Sequence, residues 1–451
     1  MSLSINNQTY TNLHFIGIFG IGMSAIAQYL APQCSITGSD RALNSIDVQD
    51  ISTGLMACGC SLFEQDGSGI TSQTDAIVVS TAIEKSNPDM AQAKKLGIII
   101  LHRSEVLAAI VAQSRTISVT GTSGKSSVSA MIFHVLKEAG LSPSYIGGAK
   151  LHALKNDGLI GNAFRGKSEL LVIEADESDG TVVNYHPEIS LLLNISKDHK
   201  EISEVQEMLT IAAKQSKIVI KNGEDTYLKA IKGITFGLTA SSMIYPTQKS
   251  TSALLSRFTI EETSFQINQP GEHTILNGLA TYAVAKELGI TDKDIQKALV
   301  SYQGIERRFD RYEAARGIVV IDDYAHNPEK ISAAIKAAQL VSEQVTAVFQ
   351  PHGFGPLAFM LSELTTMFQT TLRPKDKLYI LPVYYVGGTV DRTINSKTLV
   401  SKINQPQTML TTKEALQEQV KNLPNSAALL ILGARDPSLP ALAKDLAQRI
   451  S

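Results

Sequence analysis

The sequence predicts an α/β fold divided into three domains. Short β-rich runs alternate with helical patterns along nearly the whole chain, which favours crossover connections and mostly parallel sheets. The length of 451 residues suggests three domains at about 150 residues each. New strand patterns begin after residues 112–115 and 311–315, so we predict domains at 1–113, 114–312 and 313–451.

The elements follow from hydrophobic periodicity. In the first domain we predict strands at 13–17, 35–37, 76–80 and 98–101 and helices at 22–31 and 88–96. The second has strands at 116–120, 170–174, 189–194 and 218–221, a helix at 127–139, a single antiparallel strand at 258–268 and a helix at 277–288. The third has strands at 318–321, 346–350, 377–382 and 428–433 and helices at 329–340, 361–366 and 439–450.

Composition excludes some classes of partner. The formal net charge of −2 and the pI of about 6.5 provide no global attraction to nucleic acid or to an anionic membrane. No apolar stretch approaches the ~20 residues that span a bilayer, and the first residues are polar, so we expect a cytoplasmic protein. Cys58 and Cys60 lack a second cluster at zinc spacing and are interpreted as ordinary thiols.

The strongest local motif is a glycine-rich loop between a strand and a helix. In Val-Thr-Gly-Thr-Ser-Gly-Lys-Ser-Ser, residues 119–127, Gly121 and Gly124 let backbone N–H groups turn toward an anion. Lys125 can reach terminal phosphates, and the hydroxyl of Ser126 can ligate Mg²⁺. A standard phosphate-binding loop has glycine where Val119 stands, so this is a shortened variant. The alternative is a glycine–serine turn with a surface lysine.

Two further strands of this domain end in polar side chains. Residues 174–179 contain four carboxylates directly after an apolar strand, which indicates a possible Mg²⁺ site, although a solvated acidic loop is the alternative. Asp198 and His199 follow the next strand and should reach the same edge of the sheet. A neutral imidazole there is a candidate metal ligand.

The first domain carries a glycine turn, with Gly17, Gly20 and Gly22 after a strand and Ser39-Asp40 about 20 residues later. This spacing is close to a dinucleotide-binding fingerprint, which would indicate an NAD-dependent oxidoreductase. A nucleotide-sugar diphosphate could use the same turn, so the ligand class stays open.

The third domain presents polar residues at two strand ends. Asp322, Asp323 and His326 follow one apolar strand, and His352 follows another. The adjacent arginines 307 and 308 suit phosphate or carboxylate recognition, or a solvated face. Either histidine could contact a ligand or cap a loop.

Together, in this order and spacing, these segments resemble the Mur ligase family of peptidoglycan synthesis. The resemblance spans nearly the whole chain and rests on the glycine turn, Val-Ser-Thr-Ala at 79–82 with Asn-Pro at 87–88, residues 120–127, 174–179, 198–199, Asn277, 307–309 and 322–328. It implies a Rossmann-like domain for a UDP-sugar, a central ATPase domain with a phosphate loop, and a Rossmann-like domain for the incoming amino substrate.

The resemblance also implies roles for individual residues. Catalytic roles fall to Lys125, His199, His326 and His352, and Mg²⁺ is served by Ser126, Glu174 and His199. The ATP site comprises Gly121, Thr122, Ser123, Gly124, Lys125, Ser126, Ser127, Asn277, Arg308 and Asp323, the last of these beside the ribose. The UDP-sugar site comprises Gly17, Gly20, Gly22, Met23, Ser39, Asp40, Ser80 and Thr81.

The implied activity is an ATP-dependent amide ligase that uses Mg²⁺ and works through an acyl-phosphate. It would join L-alanine or a related amino substrate to the carboxylate of UDP-N-acetylmuramate, as a monomer or homodimer. The alternatives are ligation of a murein tripeptide and a non-catalytic nucleotide-sugar-binding homologue. One departure bears on the amino substrate: the arginine-containing segment that the family has after His352 is Gly-Phe-Gly-Pro-Leu here, at 353–357.

Overall fold

A computed structural model describes residues 3–178, 180–196, 200–385, 387 and 390–450. The chain forms two compact units. Unit 1 contains Met1–Pro246 and Asn277–Ile305, and unit 2 contains Thr247–Leu276 and Glu306–Ser451. Among the described residues, none of the helices combines the length and the apolar composition that a membrane-spanning segment requires.

Unit 1 begins with a hairpin, β1 (Leu3–Ile5) and β2 (Gln8–Tyr10), followed by a five-stranded parallel sheet. Its strands are β3 (Asn12–Ile16), β4 (Ser35–Ser39), β5 (Ser61–Phe63), β6 (Ala76–Val79) and β7 (Ile99–His102). Their order is β5-β4-β3-β6-β7. The helices are α1 (Ile21–Leu30), α2 (Gln49–Ala57), α3 (Pro88–Leu96) and α4 (Arg103–Ala112). The order reverses next to β3, where open α/β sheets bind ligands.

The second sheet of unit 1 has seven strands, and all neighbouring pairs except β10 with β9 are parallel. The strands are β8 (Arg115–Thr120), β9 (Ser144–Ile146), β10 (Ala163–Phe164), β11 (Leu170–Glu174), β12 (Ile189–Leu192), β13 (Ile218–Asn222) and β14 (Ile234–Phe236). The order is β10-β9-β11-β8-β12-β13-β14. The helices are α5 (Lys125–Glu138), α6 (His152–Asn156), α7 (Ile202–Lys214), α8 (Glu272–Glu287), which belongs to unit 1 from Asn277 onward, and α9 (Asp292–Ser301).

One apolar core joins these two sheets within unit 1. It includes Phe15, Met23 and Ile26 from the first sheet and its helix, and Ile146 and Leu171 from the second. A buried polar contact reinforces it, because the Asn162 side chain donates to the carbonyl of Ile21 and accepts from Gln28. The carboxyl ends of β3 and β11 face a common cavity, which is lined by Gly20 and Gly22 after β3 and by Glu174 at the end of β11.

Unit 2 contains two sheets. A small antiparallel sheet consists of β15 (Gln248–Thr251), β16 (Ser256–Ile260) and β17 (Thr263–Ile267). The larger sheet has the order β18-β19-β23-β20-β21-β22 and is parallel except for β18 with β19. Its strands are β18 (Asp310–Glu313), β19 (Val319–Asp323), β20 (Val345–Phe349), β21 (Lys377–Ile380), β22 (Thr408–Leu410) and β23 (Ala428–Leu432). The helices are α10 (Pro328–Val341), α11 (Phe354–Phe359), α12 (Leu361–Thr371), α13 (Ser396–Ile403), α14 (Lys413–Gln419) and α15 (Leu439–Arg449).

The predicted α/β class is confirmed, but the single strand predicted at 258–268 is wrong. The segment is a hairpin in which Ser256–Ile260 pairs with Thr263–Ile267. The turn contains Glu261 at φ 53°, a conformation that glycine or asparagine usually supplies. The sequence therefore shows no turn signal at the point where the chain reverses. The domain boundaries at 113 and 312 stay predictions.

Candidate active site

The phosphate loop connects β8 to α5 in unit 1. Two of its glycines have positive φ, +133° at Gly121 and +91° at Gly124, where a side chain would be strained. The helix begins at Lys125, two residues earlier than predicted, so the first turn carries Lys125 and Ser126 directly. No side chain caps the N-terminus. The N–H groups of this turn are thus available to an anion, as at other helix N-termini that bind phosphate.

Asn194, just past the end of β12, braces this loop. Its side chain accepts a hydrogen bond from the N–H of Ser123 (2.7 Å) and donates one to the carbonyl of Ser123 (2.9 Å). Its own carbonyl accepts from the N–H of Thr122 at 3.0 Å. Sequence analysis placed Asn194 in a strand but missed this role, because the partners are about 70 positions away along the chain.

We expect Asn194→Ala to raise the KM for ATP about tenfold, with a small effect on kcat. Loss of two hydrogen bonds at about 1 kcal/mol each loosens the loop that positions the phosphates. Steady-state kinetics at varied ATP concentration would measure this change in KM. Asn222→Ala is the matched control, since Asn222 ends the neighbouring strand β13 and accepts from the N–H of Glu224 instead. Equal KM changes in both variants would contradict the bracing role.

Lys125 lies among carboxylates. Its Nζ is 2.7 Å from Oε2 of Glu177 and 3.4 Å from Oδ1 of Asp176, and its side chain is only 12% exposed. Burial alone would lower the pKa of Lys125, but Glu177, Asp176 and Glu174 raise it above the ordinary value, so the ammonium stays charged. Burial raises the pKa of Glu177, against the influence of Lys125. The cluster presents one cation to an incoming phosphate.

Ser126 and Glu174 lie side by side, as a shared Mg²⁺ site requires. The hydroxyl of Ser126 donates to Oε1 of Glu174 (3.0 Å), and Oε2 of Glu174 accepts from the N–H of Gly148 (2.9 Å). The predicted third ligand, His199, lies outside the described residues, as do Asp198 and Asp179. Among the described residues no group of three or more His, Cys, Asp or Glu side chains is arranged to hold a metal.

A cavity of about 260 Å³ connects the N-terminal glycine turn with this carboxylate cluster. It is lined by Gly20, Ile21, Gly22, Met23, Ile26, Ser80, Arg103, Leu107, Ile146, Gly147, Gly148, Glu174 and Asp176. Four of the residues predicted to bind a UDP-sugar therefore share one cavity with the predicted metal ligand Glu174. This arrangement can bring the far end of a nucleotide-sugar to the transferred phosphate.

Arg103 is a lining residue that sequence analysis missed. A methyl group on Gly22 would lie 2.9 Å from its guanidinium, so the absence of a side chain at 22 leaves room for this cation. Arg103 is the first residue of α4, directly after β7. The sequence does contain a feature that could have identified Arg103, because it is a basic residue directly after a strand of the same sheet as the glycine turn. The cation gives this cavity a charge suited to a diphosphate or carboxylate.

The remaining residues of the N-terminal turn stabilise its shape. The two oxygens of Asp40 accept from the N–H groups of Phe19 (3.0 Å) and Ala42 (3.0 Å). The carbonyl of Ser39 accepts from Gly17 (2.8 Å), while its hydroxyl donates to buried Asp89. Asp40 is thus engaged with backbone, whereas an NAD-binding acid would be directed at a ribose hydroxyl. Thr81 is exposed.

Asn277, in α8, lies near the phosphate loop, since its Oδ1 would be 3.4 Å from a methyl group on Gly124. Its backbone carbonyl accepts from the hydroxyl of Thr281 at 2.9 Å. Both residues belong to unit 1. The structure thus brings Asn277 to the loop that the resemblance assigned to ATP, across some 150 positions of sequence.

In unit 2, Arg308 and Asp323 lie together beside β19. Asp323 accepts from the N–H groups of Phe309 (2.9 Å) and Ala325 (2.8 Å), and the Arg308 guanidinium is 5.2 Å from the Tyr324 ring centre. Burial raises the pKa of Asp323, and Arg308 opposes this shift. Phe309 has φ 57°, a strained value for a non-glycine residue, of the kind that clusters at functional sites.

The neighbouring arginine, Arg307, has a structural role, because its side chain is hydrogen bonded within the protein. Its guanidinium donates to Asp322 (3.1 Å) and to the carbonyls of Gly433 (2.7 Å) and Ala434 (3.0 Å). Burial raises the pKa of Asp322 to about 6 although Arg307 lowers it. Of the two adjacent arginines, Arg308 is therefore the better candidate for a ligand.

His326 and His352 meet at the carboxyl edge of the same sheet. Their rings are 4.9 Å apart, edge to face, and both residues are buried. Nδ1 of His326 lies 3.0 Å from the carbonyl oxygen of Tyr324. Because a carbonyl only accepts, Nδ1 carries the proton in this contact, which leaves Nε2 as the nitrogen that can exchange a proton. The pair predicted from two separate strand ends is thus one cluster.

Three protein-family models match successive segments of the chain. Residues 12–115 match the Mur ligase family catalytic domain, residues 119–285 the Mur ligase middle domain, and residues 307–435 the Mur ligase glutamate ligase domain. UDP-N-acetylmuramate–L-alanine ligase of Renibacterium salmoninarum is 33% identical over 97% of this chain and 95% of its own length. The enzyme of that name from Thermosynechococcus vestitus is 33% identical over 93% and 92%.

Solved structures show the same architecture. A UDP-N-acetylmuramate–alanine ligase from Thermotoga maritima superimposes with a TM-score of 0.80 at 23% identity, covering 97% of this chain and 98% of that one. A murein peptide ligase from Psychrobacter arcticus gives 0.67 at 18% identity, covering 98% of each chain.

Proposed function

The chain belongs to the Mur ligase family, and from this premise we propose that it joins the amino group of L-alanine to the carboxylate of UDP-N-acetylmuramate at the expense of ATP. The observation that carries the proposal is the shared cavity in unit 1. It joins the glycine turn suited to a diphosphate with Glu174, which contacts Ser126 of the phosphate loop. The reacting carboxylate and the transferred phosphate are thereby brought into one region.

Phosphorylation solves the chemical problem of this reaction, because a carboxylate is a poor electrophile. The carboxylate oxygen attacks the γ-phosphorus of ATP and ADP leaves, which forms an acyl-phosphate; the amine then displaces phosphate. Lys125 offsets negative charge on the transferred group, and the N-terminal N–H groups of α5 hold the adjacent phosphates. Arg103, which lines the same cavity, supplies a positive charge that orients the nucleotide-sugar.

The residues fit Mg²⁺. The Ser126 hydroxyl and the Glu174 carboxylate are hard oxygen donors within 3.0 Å of each other. A magnesium ion there would neutralise phosphate charge. Few protein ligands are needed, since Mg²⁺ at such sites keeps several waters and phosphate oxygens.

The amine must lose a proton to attack. His326, with Nδ1 held by the Tyr324 carbonyl, has Nε2 as the proton acceptor for this step, in the domain proposed to bind the amino substrate. His352, packed against it, restricts the ring orientation.

The test is phosphate release with ATP, Mg²⁺ and UDP-N-acetylmuramate against a panel of amino acids and short peptides. We expect release only when carboxylate and amine are both present, with L-alanine the preferred amine, and loss of release when EDTA removes Mg²⁺. Preference for a tripeptide would instead support the second candidate, peptide ligation. Binding of ATP and UDP-sugar without any turnover would overturn ligase activity.

A further inference from the structure

The amino substrate needs a cation to hold its carboxylate, and the segment directly after His352 contains none. This segment, residues 353–357, reads Gly-Phe-Gly-Pro-Leu. The structure instead brings a distant arginine to it. The Arg392 guanidinium carbon lies 5.7 Å from the ring centre of Phe354, two residues after His352.

A second aromatic ring fixes this arginine. The Arg392 guanidinium carbon is 4.7 Å from the ring centre of Tyr385, and the Tyr385 and Phe354 rings pack edge to face at 5.5 Å. The two strand-end segments are hydrogen bonded to each other, because the N–H of Tyr384 donates to the carbonyl of Pro351 at 2.8 Å. The aromatic pair is therefore attached to the backbone that carries His352.

Stacking of this kind leaves the donor edge of a guanidinium available. Arg392 is exposed, and among the described residues no carboxylate forms an ion pair with it. A planar guanidinium held on aromatic faces loses little further freedom when it binds a carboxylate through two parallel hydrogen bonds. Lysine lacks this geometry.

We propose that Arg392, held by Phe354 and Tyr385, binds the carboxylate of the incoming amino substrate. This inference rests on the proposed ligase function and assigns Arg392 as a specificity-determining residue of that reaction. Arg392 lies in the loop after β21, whereas the Mur ligase resemblance implies an arginine in the segment directly after His352. Because the Arg392 guanidinium lies over the Phe354 ring, its positive charge is at the edge of the sheet that carries His352.

The test compares Arg392→Gln with Arg435→Gln, using L-alanine and L-alaninamide as substrates. Arg435 is the matched control, because it is also exposed and also follows a strand of this sheet, β23. We expect Arg392→Gln to raise the KM for L-alanine about 30-fold, as expected for loss of a charge-assisted pair, with kcat and the KM values for ATP and UDP-N-acetylmuramate nearly unchanged. Arg435→Gln should match the wild type.

The substrate pair separates binding from a structural effect. The wild type should prefer L-alanine to L-alaninamide, which lacks the carboxylate, and Arg392→Gln should lose this preference. Arg392→Lys should recover it only in part. Retained discrimination in Arg392→Gln, or equal effects of the two arginine substitutions, would overturn the assignment of Arg392 while leaving the ligase intact. Absence of turnover with every amine in the wild type would instead overturn the proposed function, and this assignment with it.

Discussion

Lys125→Ala is expected to lower kcat for phosphate release by about 10³-fold, since it removes the cation that offsets charge on the transferred phosphoryl group. Single-turnover phosphate release would measure it. Lys137→Ala, in the same helix and partly exposed, should retain wild-type activity. Turnover by Lys125→Ala within tenfold of the wild type would show that the phosphate loop has been assigned the wrong role.

The same substitution has a second effect, on stability. Without Lys125, the pKa of buried Glu177 rises further, so the folded protein holds this proton more tightly than the unfolded chain does. Stability then falls as pH rises above the ordinary glutamate range. Thermal unfolding across pH would show a steeper decline than in the wild type. Lys125→Ala with Glu177→Gln should remove the decline without restoring activity, which separates folding from catalysis.

Gly121→Ala should lower kcat/KM for ATP more than 100-fold. A methyl group at this position would lie 2.9 Å from the backbone nitrogen and oxygen of Asn194, and real contacts of this kind are essentially never so short. The loop or the strand end must shift, and a shift of about 1 Å in a phosphate-positioning element can cost 10²-fold in rate. Nucleotide titration and steady-state kinetics would both report the loss.

Gly140→Ala is the matched control for that substitution. Gly140 also has positive φ, +80°, but a methyl group there meets no atom within 4 Å. Both variants place an alanine at positive φ, which costs at least about 1 kcal/mol, while only Gly121→Ala has the clash. UDP-N-acetylmuramate binding should survive in both. If Gly140→Ala impaired ATP use equally, general destabilisation would explain the result.

Much of the fold and the site was predictable because strand ends carry a recognisable signal. An apolar run followed by Gly121-Thr122, by Glu174 or by Asp322-Asp323 marks both the strand and the edge of the sheet that binds ligands. The strand at Leu170–Glu174 and the helix at Pro88–Leu96 were predicted with their observed bounds.

What could not be predicted depends on contacts between distant residues. The hairpin at Glu261 has no turn residue to reveal it. The helix at Ile202–Lys214 is a different case, because its apolar residues recur at helical spacing and the sequence alone could have predicted it. Asn194 and Arg392 have the composition of any polar loop residue, and only their neighbours in space distinguish them. Whether a residue such as Arg307 binds a ligand or the fold itself depends equally on its partners.

The carboxylates around Lys125 affect which anions can bind at the phosphate loop. Before any nucleotide arrives, the ammonium is already neutralised by Glu177 and Asp176, with Glu174 nearby. An arriving phosphate must therefore displace an internal counter-ion and face three fixed negative charges unless a divalent cation accompanies it. A stray inorganic anion gains little from such an exchange, whereas a metal-complexed triphosphate gains many contacts. The phosphate loop should therefore bind metal-complexed ATP in preference to free anions. The inorganic phosphate that the reaction releases should be a weak competitor of ATP at this loop.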